Sequence, residues 1–123
     1  MSYETHRQNL YTYVKANFSG APVVYDNVGG NDESMPYVIM TILDGDTITH
    51  NSSNRFVGEV VFQVITAHNG GEQPARQLAD TLFALFHDKY INNGYYGPAR
   101  LGRIGHAEGV YQLNMSVSYK YDA

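Results

Sequence analysis

Near the end of the chain, Tyr111, Leu113, Met115, Val117, Tyr119 and Tyr121 alternate strictly with Gln112, Asn114, Ser116, Ser118 and Lys120. A period of two places every apolar side chain on one face, which predicts a half-buried antiparallel strand over 110–121. The stretch 55–67 alternates as well. There Phe56, Gly58, Val60, Phe62 and Val64 face one way, and Val57, Glu59, Val61, Gln63 and Ile65 the other. One richly apolar face and one mixed face predict a central strand, or a strand whose mixed face meets a partner. Tyr37 to Leu43 is a third β-rich run, ending at Asp44-Gly45-Asp46. The polar stretch from Asp44 to Arg55 then reads as an extended loop between two long strands. Shorter strands are expected at Pro22 to Tyr25 and around Arg100 to Ile104.

Twice the apolar spacing changes from two to three and four. Tyr3, Leu10, Val14 and Phe18 share one side of a helix, with Ser2 as its N-cap and Gly20 and Pro22 closing it. Ala75, Leu78, Ala79, Leu82, Leu85 and Phe86 define a second helix from Pro74 to about His87. Pro74 suits its first position, where a missing N–H is not felt. The segment 26–36 reads as a turn-rich surface loop, and His87 to His106, with "NNGYYGP", as a second long loop. The order α-β-β-β-α-β-β describes an α+β fold: one domain over 1–123, a mainly antiparallel sheet, and two helices packed on one face.

Composition narrows the function more than the fold. A chain of 123 residues can bury roughly 65 to 70% of its unfolded surface, so it needs no staple. It has no cysteine, which removes disulfides, thiolate metal sites and thiol nucleophiles together. A net charge of −4 has the wrong sign for a domain that binds by releasing phosphate counterions, so nucleic acid is not expected as a main partner. The longest apolar run falls far short of a membrane span, and Glu4 and His6 stand where a signal peptide would be apolar, so a soluble, non-exported protein is expected. The three Asn-x-Ser matches at Asn17, Asn51 and Asn114 then read as chance.

The run "VVFQVITAHNGGEQPARQLADTLFALF" has the strand, Gly-Gly and helix order of a phosphate-binding loop, but not its chemistry. Gly70-Gly71 is followed by Glu72-Gln73-Pro74, with no lysine. Glu72 would repel an anion at the helix start, and Pro74 removes an N–H donor there. A tight strand-to-helix turn is the simpler reading. His6, His50, His68, His87 and His106 are scattered singly, without a metal-ligand spacing, and read as surface or loop-end histidines. Ser52 and Ser53 sit in a polar stretch rather than a nucleophile elbow. Asp44 and Asp46 could approach a hard cation but fit ordinary turn chemistry. Neither enzyme activity nor a cofactor or metal is expected.

Tyrosine is the unusual component, at 11 residues. Tyr95, Tyr96, Tyr119 and Tyr121 combine apolar faces with polar tips, which suits interfaces, and a last strand near the terminus offers an edge to a neighbour. The segments Asp44 to Arg55 and His87 to His106 are expected to carry assembly contacts. The residues picked out there are Asp44, Asp46, His50, Arg55, Tyr95, Tyr96, Arg100 and Arg103, joined by Tyr119 and Tyr121.

The early helix "ETHRQNLYTYVKANF", the following "APVVYDN", the strand "PYVIMTIL" and above all "RFVGEVVFQVITAHNGGEQPARQLADTLFALF", closed by a last strand, span nearly the whole chain. In this pattern and order the sequence resembles the tail terminator proteins of long-tailed phages, small α/β proteins similar in role to the lambda tail terminator. The resemblance implies a virion protein at the head-proximal end of the tail, assembled in the host cytoplasm. Six copies would form a ring on the last ring of tail tube protein, stop its polymerisation and offer a surface to the head connector. A neck, head-to-tail joining or minor tail protein is the alternative, and, more remotely, a monomeric adaptor or a small hydrolase.

Overall fold

The two alternating stretches pair with each other. In the computed structural model, β3 (Ser53–Ala67) and β6 (Val110–Asp122) run antiparallel in unbroken register from Arg55 opposite Asp122 to Ala67 opposite Val110. The structure describes residues 3–25, 35–50, 53–67, 72–107 and 110–122, and their side chains except at 50, 53 and 103–107. Around this pair stand β1 (Val23–Tyr25), β2 (Tyr37–His50), β4 (Lys89–Ile91) and β5 (Gly94–Ala107), in the sheet order β1-β2-β3-β6-β5-β4. Every neighbouring pair is antiparallel except β1 with β2. Helices α1 (Tyr3–Asn17) and α2 (Gln73–Phe86) pack on one face. The α+β expectation and its element order hold, with the three-residue β4 added.

The covered face is the one that the alternation marked. Val60, Phe62 and Val64 of β3 are buried with Leu113, Met115 and Val117 of β6. Val38 and Met40 of β2 extend the same layer. Leu10 and Val14 of α1, Phe18 just beyond it, and Ala79, Leu82 and Phe86 of α2 close it from above. The Tyr13 hydroxyl donates to Leu85 O at 2.8 Å, tying one helix to the other. Phe62 is fully buried with its ring centroid 5.1 Å from that of Phe86. Phe62→Ala should therefore cost about 3–5 kcal/mol, read as a lowered urea midpoint.

Three expectations are corrected. β6 is not an edge: it lies between β3 and β5, because its polar face is acceptable to the solvent side of a sheet and its apolar face to the core. The stretch from Asp44 to Arg55 is not a loop. β2 and β3 stay paired to His50 and Ser53, past a bulge between Asp44 and Thr47; β6 accompanies β3 as far as Arg55, so only the last pairs, Thr49 with Asn54 and His50 with Ser53, project as a short two-stranded arm. Thr47, Ile48 and Thr49 are β-branched, and the Thr49 hydroxyl donates to Asn54 Oδ1 at 3.1 Å across the arm. His87 to His106 is mostly strand as well. Asn92 and Asn93, with φ of 47° and 70°, form the two-residue turn that folds β4 onto β5. Gly70-Gly71 lies outside the described residues.

Candidate functional site

At the base of the arm, α1 is fixed to the sheet by a cluster of rings. Counting by four from Val14 through Leu10 reaches His6, which shares their buried face at 2% exposure. Its ring lies 4.4 Å from that of Tyr119 and 4.5 Å from that of Tyr121. Its Nε2 is 2.8 Å from the Tyr96 hydroxyl. Tyr121 stacks on Phe56 at 5.0 Å, and Tyr3 meets the edge of Phe56 at 4.9 Å while bonding Thr47 Oγ1 at 3.0 Å. The Tyr119 hydroxyl donates to Asp44 Oδ1 at 2.5 Å. It passes over Gly58, where a Cβ would stand 2.4 Å from that hydroxyl and 2.5 Å from Leu43 O. The expectation of a surface histidine at His6 is thus corrected.

Burial controls the ionisation of this cluster. It lowers the His6 pKa to about 4 against the opposing field of Asp44, and pushes Tyr121 up to about 12. Tyr96 and Tyr119 are also raised, first by burial and, for Tyr119, then by its bond to Asp44. His6 is neutral in the folded chain, and the unfolded chain takes up its proton first on acidification. Its contribution to stability is complete above pH 6.5 and is lost as pH falls from 6.5 through about 4; the loss amounts to roughly 3 kcal/mol. In unfolding titrations the chain should show this slope between pH 6.5 and 4, and His6→Phe should flatten it.

Among the described residues, the opposite face of the sheet carries no helix. Its curvature makes an open concavity of about 680 Å³, bordered by Leu43, Asp46, Val57, Glu59, Tyr95 and Lys120 among others. Lys120 Nζ lies 5.4 Å from the Tyr95 ring centroid, and the Tyr95 hydroxyl donates to Asp88 Oδ1 at 2.5 Å. Among the described residues, no three His, Cys, Asp or Glu side chains are grouped to hold a metal ion. At the start of α2, the Tyr111 hydroxyl donates to Glu72 Oε1 at 2.8 Å, so a carboxylate occupies the place a phosphate would need. What this face offers is a shallow surface of mixed charge, suited to a macromolecular contact rather than to enclosing a small substrate.

Of the residues picked out in the sequence, Asp44, Asp46, Tyr95 and the otherwise buried Tyr119 border this concavity. Arg55 forms an exposed ion pair with Asp122 at 2.8 Å, next to Tyr95 and Lys120. Arg100 is exposed near Glu59, Ser116 and Ser118. Tyr96, Tyr119 and Tyr121 are buried inside the chain, since their alternation assigns them to the helix-covered face. The side chains of His50 and Arg103 lie outside those described. His6, Gly58, Glu59 and Lys120 were not picked out. For His6 the signal was available in its four-residue spacing from Leu10.

No family model and no curated protein matches the sequence. Solved structures do match in shape. One, a protein bearing only a serial identifier, superposes with a TM-score of 0.72 at 19% identity, over 98% of this chain and 96% of that one. Another, a chain from the virion of a native gene transfer agent particle, gives 0.71 at 17% identity, over 99% of this chain and 100% of that one. Both are similar to this chain along essentially their whole length, and they establish a shared fold.

Proposed function

We propose that the chain is a structural protein of a phage-like tail, a terminator whose ring caps the tail tube and presents its other face to the head connector. The observation that carries this reading is the end-to-end likeness to a chain of a gene transfer agent virion. The order of sequence elements and the shallow, charged, helix-free face add to it. A tube is a stack that would keep adding rings, so its terminator must fit the tube on one side and mismatch it on the other. Such a ring needs contacts of roughly 1,200 to 2,000 Å² between neighbours, and the two-stranded arm and the concave face provide exposed area for them.

Removing the chain from a particle-producing strain should give tails of uncontrolled length, unattached to heads. Tails of normal length joined to heads would overturn the proposal. Correct-length tails alongside filled heads that fail to join would reassign the chain to the neck.

A further inference from the structure

The two outermost strands cover very little of the strands beside them. β1 pairs only with Val38, Val24's partner Ile39, and Met40 of β2. β4 pairs only with Gly94, Tyr95 and Tyr96 of β5. Two further bonds, Asp88 N–H to Gly97 O at 3.1 Å and Ala99 N–H to His87 Nδ1 at 3.1 Å, extend the cover of β5 slightly. From Thr41 to His50 on β2 and from Arg100 to Ala107 on β5, no strand among the described residues pairs with the outward backbone groups. Open edges of this length are templates for another strand.

Three features indicate what fits them. The first is direction. β2, β3, β6 and β5 are antiparallel in succession, so β5 runs opposite to β2. A second copy placed beside the first in the same orientation therefore meets it with an antiparallel joint. The second is charge. Asp46 beside the β2 edge and Arg100 on the β5 edge are both exposed and lack an ion-pair partner among the described residues. Both border the helix-free face. Extending a sheet preserves its faces, so charges on opposite edges can meet between copies only when they share a face, as these do.

The third is unfinished core. On the helix side, Ala79, Phe83, Ala99, Leu101 and Met115, together with Asp80, line a mostly apolar cleft of about 200 Å³ next to the β5 edge, with Phe83 43% and Leu101 48% exposed. The open stretches lie at opposite ends of the sheet. Val38 stands level with Val64, Leu113 and Arg103, whereas Thr47 stands level with Phe56, Tyr121 and Gly94. A joint between them is staggered along the strands, as it is between the tilted strands of a closed barrel. The bulges at Asp44/Thr47 and Arg103/Gly105 bend both edges away from the flat form that adds strands without limit.

We infer that neighbouring copies of this chain join by antiparallel strand addition, β2 beyond Met40 against the next copy's β5 beyond Ala99, bringing Asp46 beside Arg100. This rests on the ring reading and names the surface that closes it. The chain has no cysteine, and Asp46 and Arg100 lie at opposite edges of the sheet with β3 and β6 between them, so the variant Asp46→Cys with Arg100→Cys reports contacts between copies. On oxidation it should give a ladder of covalent multimers that neither single variant gives.

Asp46→Arg alone should weaken association at least about tenfold, and adding Arg100→Asp should restore it. Full-sized assemblies that neither cross-link nor respond to Asp46→Arg would overturn the edge contact and leave the ring reading intact. A wild-type chain that remains monomeric at every concentration would overturn both.

Discussion

Gly58→Val should destabilise the fold by at least about 3 kcal/mol. At this position in β3 a Cβ would meet Leu43 O at 2.5 Å and the Tyr119 hydroxyl at 2.4 Å. The first contact is with the backbone of the adjacent strand, so rotating a side chain cannot relieve it. The second is with a ring held by His6 and bonded to Asp44. Valine must therefore separate β2 from β3 at the base of the arm or displace Tyr119, and displacing Tyr119 loosens the seat of α1. Gly102→Val is the control. A Cβ there meets only Asn114 O, at 3.9 Å, an ordinary contact on an exposed part of β5. Urea unfolding should separate the two variants clearly, and equal midpoints would show that the Gly58 crowding does not govern the fold.

Arg100→Glu combined with Arg103→Glu should leave the monomer folded and abolish assembly. Arg100 is exposed and has no ion-pair partner among the described residues, so its reversal should change stability by no more than about 0.5 kcal/mol. Each reversal removes two units of charge, taking the net charge from −4 to −8, and both fall on one strand edge. Like charges brought together at a contact cost several kcal/mol, so association should weaken by about a hundredfold or more. The checks are an unchanged urea midpoint and a monomeric mass where the wild-type chain assembles. Assembly at wild-type strength, or normal particles from the double variant, would refute the role given to this edge.

Much of the architecture can be read from the chain because its faces differ so strongly. Strict alternation at 110–121 and 55–67, and three-and-four spacing in α2, are consequences of having water on one side and core on the other. The same alternation already placed Tyr119 and Tyr121 with Leu113 and Val117, and it was a better guide to their burial than the general affinity of tyrosine for interfaces. The arm was hidden because polar threonine and asparagine look like a loop until cross-strand pairing is considered. β4 and the first turn of β5 were hidden because Asn92-Asn93 lacks the glycine usual in such turns, although asparagine tolerates positive φ.

The site was less legible than the fold, because most of its features arise from residues distant in the chain. The contact of His6 with Tyr96, Tyr119 and Tyr121 joins α1 to β5 and β6. The crowding at Gly58 exists only because Tyr119 crosses it to reach Asp44. The concave face similarly gathers Leu43, Val57, Tyr95 and Lys120 from four strands. Asp44, Asp46 and Tyr95 could be picked out as polar or aromatic residues in turn-rich stretches, whereas Glu59 and Lys120 looked like ordinary strand positions.

The most direct test of the account is the solution mass of the purified chain, measured by light scattering over a rising concentration series. A terminator that closes through its own strand edges should approach a plateau near six times 13.7 kDa, with no larger species beyond it. A constant 13.7 kDa throughout, or growth without a plateau, would contradict the closed ring.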